Sequence, residues 1–346
     1  MKRSHVAVLA GALLAALAAG AHSADWSDEA DYADDYPASQ ALCRQVKHLA
    51  IPAADRPTPA EAEGLKGCDS EALYFGIGRA ADPVAARKCA ILELERPADQ
   101  PGGYFEGAVV LQMVYANGNG ATKNPRLAMH LACTQEDAPA EIDGRVTHLT
   151  QLTPGETFEW CDDITSSLAM GACSAHDARI AGANREAALA KLMARWSPAQ
   201  RAAFAPLRAA SEAFVEARSD HEVDMSGSLR ATLAIGEENL RRDAFLNLVT
   251  ALEEGRGPSE SPGQYAKADA ELNAVYRKVV AAGGNTPLGW GTVSVDDVRA
   301  AQRVWLRYRD AWLAFRKVRY PKVSQDALAA ELTRERTQML KAFLDS

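Results

Sequence analysis

One helical period governs the last part of the chain. Between Val298 and Phe315, apolar residues recur at alternating spacings of three and four, which places every aromatic ring on one face of a helix. Arg299, Arg303 and Arg307 fall off that face, towards solvent. This arrangement predicts a buried helix and disfavours a nucleic-acid surface, in which rings and cations would be exposed together. The apolar face consists of Val298, Ala301, Trp305, Tyr308, Trp312 and Phe315.

The N-terminus has the parts of a secretory signal peptide. Two cations precede an apolar run from about Val6 to Ala19, and Ala21 and Ser23 satisfy the small-residue rule for cleavage. The run is too short to span a membrane. We therefore predict cleavage after Ser23 and a periplasmic or secreted protein without a membrane anchor.

The charge of the chain is acidic. There are 38 Lys and Arg against 46 Asp and Glu, a formal net charge of -8. This balance disfavours nucleic acid and anionic membranes as partners and favours cationic ones. The first mature stretch, residues 24–42, is itself acidic but lacks the ligand spacing of a calcium loop, so we expect a solvated tail.

All six cysteines lie in the first half of the chain. An even number after a signal peptide predicts three disulfides in an oxidising compartment, with 15 possible connectivities. Zinc is the rival interpretation, but no CxxC pair is present. The cysteines are Cys43, Cys68, Cys89, Cys133, Cys161 and Cys173.

A repeat with a period of about 41 residues occupies the same half. Tyr74–Ala90 lies over Tyr115–Ala132, and the matched tyrosines, glycines and prolines predict a helix, a turn with two glycines, a capped start and a second helix. The pattern resembles the Sel-like repeat, a relative of the tetratricopeptide repeat, over roughly residues 66–135. The resemblance implies stacked helix hairpins.

The hairpin geometry suggests how the cysteines pair. Antiparallel packing of the first hairpin would bring Cys68 beside Cys89, near the end of the second helix. Cys161 and Cys173 are close enough in sequence to pair locally. Cys43 is then left with Cys133 by elimination.

Beyond residue 160 the sequence favours long helices, interrupted by a Pro/Gly/Ser-rich linker at residues 253–263. The segments on either side are alike: Phe214 falls on Trp305, and Arg242 on Arg336. We predict an all-α protein in which helix-hairpin repeats precede two small helical-bundle domains. The expected division is a signal peptide at 1–23, an acidic tail at 24–42, stapled repeats at 43–150, a degenerate bundle at 160–252, the linker at 253–263 and a second bundle at 264–346.

The second bundle carries a sequence pattern in three blocks. Its residues are Asp269, Leu272, Asn273, Tyr276, Gln302, Trp305, Tyr308, Arg309, Asp310, Thr333, Arg336 and Leu340. This pattern resembles the lysozyme inhibitor LprI N-terminal-like domain, and the first bundle resembles a degenerate copy of it. The resemblance implies a non-enzymatic, protein-binding function, with inhibition of a basic lysozyme as its specific form.

Three residues of that pattern are candidate partner contacts: Arg309, Asp310 and Arg336. The alternative is structural. Arg309 or Arg336 would pair with a carboxylate across the bundle, while Gln302 and Asn273 cap or bridge helices.

Trp290 is a further candidate contact. It lies between two glycines in the loop 282–294, and tryptophan is a favoured interface anchor. A lysozyme cleft works with two carboxylates, so an inhibitor needs a protruding element that blocks it. The alternative is that Trp290 folds back over the end of the bundle.

No catalytic motif is present, and the histidines are scattered. His176 beside Asp177 and His221 beside Glu222 are conceivable proton-transfer pairs, but polar helix surfaces explain them equally. We therefore expect no enzyme activity, catalytic residue, metal or cofactor. A second hypothesis is a helical-repeat scaffold for envelope protein assembly, without lysozyme activity.

Overall fold

The computed structural model describes residues 25–97, 99–100, 102–259, 261–283, 288 and 291–344. Within these residues the protein is all-α, as predicted, with thirteen α-helices and no β-strand. None of the described helices is long and apolar enough to cross a membrane. The predicted signal peptide lies outside the described residues.

Short helices make up the first half of the chain and long helices the second. The first seven are α1 (Pro37–Val46), α2 (Pro59–Gly64), α3 (Ser70–Phe75), α4 (Pro83–Leu94), α5 (Ala108–Asn117), α6 (Pro125–Cys133) and α7 (Pro139–Gln151). The remaining six are α8 (Ser167–Met193), α9 (Pro198–Glu222), α10 (Arg230–Glu253), α11 (Gln264–Gly283), α12 (Val295–Arg319) and α13 (Gln325–Lys341).

Two helix hairpins, α3–α4 and α5–α6, have the same turn geometry. Gly76 and Gly118 end the first helix of each at φ 73°, in the left-handed region that glycine adopts without strain. Asp82 and Asn124 then cap the second helices with their side chains. The hairpin turns are as the sequence predicts, while their assignment to Sel-like repeats stays a prediction.

Three disulfides staple this half of the chain, and the predicted pairings are confirmed. Cys43–Cys133 joins α1 to α6, and Cys68–Cys89 lies within the first hairpin. Cys161–Cys173 ties a short 3-10 turn to α8. No cysteine is left free for the alternative zinc site.

The acidic segment at residues 24–42 is attached to the hydrophobic core shared by the helices of the first half of the chain. Its described part forms two 3-10 turns and the start of α1. Carboxylates such as Asp31 and Asp34 are exposed, but Trp26 is only 2% exposed and donates from Nε1 to Ser39 Oγ at 3.0 Å. The expectation of a solvated tail is therefore corrected to a docked segment, because burying one indole outweighs the acidic composition around it.

The long helices share a second core. The predicted apolar face of α12 is buried throughout, from Val298 at 0% exposure to Phe315 at 1%. Helix α12 packs mainly on α9, and the ring of Phe214 on α9 stacks on Tyr308 with centroids 5.2 Å apart. Buried residues on both sides of segment 253–263 belong to one cluster. The division of this half into two bundle domains stays a prediction from the sequence.

Candidate functional site

Arg336 lies at the centre of the second core, with no exposed surface. Its guanidinium donates to both oxygens of the Glu222 carboxylate at the end of α9, at 2.6 and 2.7 Å. Its Nε donates to Gln302 Oε1 on α12 at 2.8 Å. Because a partner cannot reach Arg336, its predicted role as a partner contact is corrected to a structural role. Gln302 bridges helices, as the structural alternative predicted.

The Arg336–Glu222 pair belongs to a larger ionic cluster between α9, α10 and α13. Arg218 donates to Glu222 and also, through Nε, to Glu237 at 2.7 Å. Burial raises the pKa of the Glu222 carboxyl, but Arg336 and Arg218 outweigh burial and hold this pKa below its usual value. The cluster contains three cations and three carboxylates: Arg218, Arg241, Arg336, Glu222, Glu237 and Glu335.

The charge balance of this cluster argues against a ligand site. A cavity of about 330 Å³ lies beside it, but the guanidinium groups that reach the cavity wall are already paired with carboxylates. We assign the cluster to fixing the helix register.

Arg309 and Asp310 lie closer to the surface. The Arg309 guanidinium binds the neighbouring Asp310 carboxylate at 2.8 Å and the Tyr265 hydroxyl at 3.3 Å, and it lies over the ring of Trp305. The side chain of Arg309 is 16% exposed and that of Asp310 is 62% exposed. Asp310 is thus open to a partner, whereas Arg309 is mostly covered. The partner contacts of both stay a prediction.

Trp290 lies outside the described residues, but the end of its loop is described. Leu288 is buried at 4% exposure. The backbone N–H of Thr292 donates to Asp224 Oδ1, in the turn after α9, at 3.2 Å. Gly291 has φ 61°, and a β-carbon there would lie 2.3 Å from the same oxygen. The C-terminal end of the loop is therefore anchored on the turn between α9 and α10.

The two histidines of interest have partners far away in sequence. His176 Nδ1 lies 2.6 Å from Glu71 Oε1, and its ring stacks on Phe105 with centroids 4.1 Å apart. His221 Nδ1 lies 3.1 Å from Asp297 Oδ1. Neither histidine pairs with the acidic residue next to it in sequence, Asp177 or Glu222, because adjacent side chains on a helix point in different directions.

His176 lies where α8 packs on the disulfide-stapled half. Burial lowers the pKa of its imidazole. Arg179 pairs with the same Glu71 carboxylate and compensates its charge. A neutral imidazole that donates from Nδ1 therefore satisfies the geometry. A cavity of about 400 Å³ adjoins the pair, but its carboxylates are engaged by protein groups, which indicates a structural joint.

One group in the described part of the chain has the spacing of a metal site: Cys68, Cys89 and Glu93. Both sulfurs are in a disulfide and cannot act as thiolate ligands. The Glu93 carboxylate accepts from the backbone N–H of Ser70 at 3.1 Å and of Gly107 at 2.9 Å. The donors of this group do not fit a metal ion in the oxidised protein.

Charge is divided unevenly between the two halves. Residues 24–173 contain 24 Asp and Glu against 11 Lys and Arg, whereas residues 174–346 contain 22 against 25. Residues 261–340 alone contain 8 acidic against 13 basic side chains. The acidity that favours a basic partner therefore resides in the stapled half. The sequence holds this signal, but a single net charge for the whole chain conceals it.

Comparison with known proteins places a family match on the long helices. Residues 261–340 match the family described as lysozyme inhibitor LprI, a range that contains α11 and α12 and nearly all of α13. An uncharacterized protein of Rhizobium meliloti (strain 1021) is 37% identical over 93 residues, which is 24% of this chain and 67% of that protein. No solved structure matches the chain significantly. The degenerate copy at 160–252 and the Sel-like repeats stay predictions.

Proposed function

Residues 261–340 belong to the family described as lysozyme inhibitor LprI, and from this premise we propose that the protein is a non-enzymatic binding protein that inhibits a basic lysozyme. The family match is the observation that carries the proposal. Three disulfides support a location outside the cytoplasm, where thiols are oxidised. The periplasm or the exterior is thus the proposed compartment, as the N-terminal sequence also suggests.

The chemistry of a lysozyme cleft fits the matched domain. Catalysis there uses two carboxylates, and residues 261–340 have an excess of five positive charges. Arg303 and Arg307 on α12 are exposed, and neither makes an ion pair with another described residue. We propose that the loop carrying Trp290 enters the cleft and that Asp310 and Arg309 contribute at its edge.

Replacing Trp290 with alanine should weaken lysozyme binding more than tenfold and leave the melting temperature unchanged. An interface tryptophan accounts for about 2 kcal/mol or more on truncation, whereas a side chain free of the core contributes little to folding. Calorimetric titration and thermal unfolding of the purified variant measure the two quantities.

The matched control is Val318→Ala, which truncates an exposed apolar side chain of α12 and should bind as the wild type does. Wild-type affinity in Trp290→Ala would contradict the loop assignment. A lowered melting temperature would instead support the interpretation in which Trp290 covers the bundle end.

The lysozyme proposal itself is tested by cell-wall lysis. The mature protein is mixed with several basic lysozymes, and turbidity is followed at increasing molar ratios. Inhibition near equal molar amounts is the expected result. Full lytic activity at large excess would reject the proposal.

A second candidate is a helical-repeat scaffold for envelope protein assembly. It is favoured by the two similar hairpins, since α4 of the first packs on α5 of the second and such stacks present extended surfaces to partner proteins. On this proposal the family-matched helices lengthen the scaffold, and lysozyme is unaffected.

A further inference from the structure

An acidic, aromatic pocket lies on the stapled half, and none of its lining residues belongs to the family-matched helices. Its volume is about 420 Å³, and it lies between the docked N-terminal segment and the turn from α6 to α7. Trp26 and Ile142 are its most buried lining residues, and Tyr32 stacks on Trp26 with centroids 5.6 Å apart. The complete lining is Trp26, Glu29, Tyr32, Gln135, Glu136, Asp137, Pro139 and Ile142.

Two carboxylates of this pocket lack a protein partner. Glu29 and Glu136 make no side-chain hydrogen bond or ion pair with other described residues, in contrast to the carboxylates of the cluster around Glu222. The third, Asp137, is already bound by the Tyr104 hydroxyl at 2.8 Å and by Arg145 at 2.7 Å. The pocket therefore has two uncompensated negative charges beside a stacked ring pair.

The surroundings strengthen the same field. Asp31, Asp34 and Asp35 follow Glu29 in the docked segment, and all three are exposed without an ion pair to a described residue. Like charges held near one another raise the local negative potential, which falls off over about 10 Å at moderate salt. A cation that enters the pocket is attracted by these carboxylates as well as by those of its lining.

The combination of rings and carboxylates specifies the ligand chemistry. A guanidinium or ammonium group is attracted to the face of a tyrosine or tryptophan ring. It is attracted further by carboxylates that are not already paired with another protein group. An anionic ligand would be repelled. The aliphatic stem of an arginine or lysine side chain would cover the apolar floor.

We infer that this pocket receives an arginine or lysine side chain of the basic partner protein. The identity of that partner rests on the proposed lysozyme inhibition. The stapled half makes the electrostatic contact, and the family-matched helices supply the element that blocks the cleft. This division follows from the charges, because the positive excess of the matched helices suits the carboxylates of the cleft but not the basic surface around it, whereas the stapled half is acidic.

The test compares two variants with the same net charge. Glu29→Gln/Glu136→Gln removes the two pocket charges, and Glu216→Gln/Asp220→Asn removes two exposed, unpaired carboxylates of α9. Affinity for a basic lysozyme is measured by calorimetry at low and physiological salt. We expect the pocket variant to bind about tenfold more weakly at low salt and the α9 variant to stay within about twofold of the wild type.

A third variant separates the pocket from diffuse steering. Tyr32→Ala keeps every charge but removes the ring, so it should also weaken binding several-fold. Thermal unfolding verifies that each variant is folded. If both double variants bind more weakly to the same extent and Tyr32→Ala binds as the wild type does, the pocket is overturned in favour of a general effect of net charge.

A tetra-arginine amide peptide tests the inference independently of lysozyme. Binding to the wild type and the α9 variant, but not to Glu29→Gln/Glu136→Gln, supports the pocket even where no lysozyme is inhibited, and in that case only the proposed function fails. If the wild type inhibits lysozyme and the pocket variants inhibit it equally well, the proposed function holds and only the pocket inference fails. Equal peptide binding by all variants, or none by the wild type, overturns the inference.

Discussion

Replacing Arg336 with methionine will lower the free energy of unfolding by about 3–5 kcal/mol, the usual consequence of removing one partner of a buried ion pair. The substitution leaves the Glu222 carboxylate with no exposed surface and without its bidentate donor. Arg218 remains as one donor, but it is shared with Glu237. Urea unfolding at neutral pH measures the loss.

The matched control is Arg309→Met. That guanidinium pairs with an exposed carboxylate, so its removal should cost about 0–1 kcal/mol. Adding Glu222→Leu to Arg336→Met should recover part of the loss, because the uncompensated charge disappears and Arg218 keeps Glu237. A loss below about 1 kcal/mol in Arg336→Met would contradict the assignment of a structural ion pair.

The same pair predicts a pH dependence. The folded-state pKa of Glu222 is lower than its unfolded value, so the folded carboxylate binds a proton less readily. Its stabilising contribution is present above the usual glutamate pKa of 4.5 and is lost as the pH falls through the folded value. The difference in stability between the wild type and Arg336→Met should therefore shrink on acidification.

Replacing Cys43 and Cys133 together with alanine should cost about 4.5 kcal/mol, the largest effect of the three disulfides. The bond closes a sequence separation of 90 residues, and the restriction of the unfolded chain grows with the logarithm of loop length. It also ties α1 and the docked N-terminal segment to α6. Denaturant unfolding of the double variant, which creates no free thiol, measures the cost.

The corresponding comparison is Cys161→Ala/Cys173→Ala. That bond closes a separation of 12 residues and should contribute about 3 kcal/mol. The two double variants remove the same atoms, so the order of their stabilities tests the loop-length argument. A smaller loss for the longer loop would show that the strain or packing of the bonds dominates.

Local patterns predicted the secondary structure and the staples. The buried face of α12 follows from one helical period, and the cap residues Asp82 and Asn124 occupy positions that the repeat already marked. Two disulfides also followed from local geometry, Cys68–Cys89 from the hairpin and Cys161–Cys173 from closeness in sequence, and Cys43–Cys133 then followed by elimination. Apart from the pair found by elimination, these features depend on neighbours within about 20 residues.

The polar partners could not be predicted in the same way. Arg336 and Glu222 are 114 residues apart, and His176 and Glu71 are 105 apart. No periodicity relates such residues, so sequence motifs made Arg336 a surface candidate although it is buried. Trp26 is a similar case, because the acidic residues around it suggested a solvated segment.

By itself, the sequence determined the all-α class, the buried face of α12, the hairpin turns and two of the three disulfide pairs, because local spacing and backbone chemistry control each of them. Only the tertiary structure decided which charges are buried and paired and which remain without a partner. Desolvation makes that difference, since a charge enclosed between α9, α10 and α13 needs a partner, whereas the half-buried Glu29 and the exposed Glu136 make no ion pair with a described residue. The tertiary structure thus separates the ionic cluster that stabilises the bundle from the acidic pocket proposed to bind a basic partner.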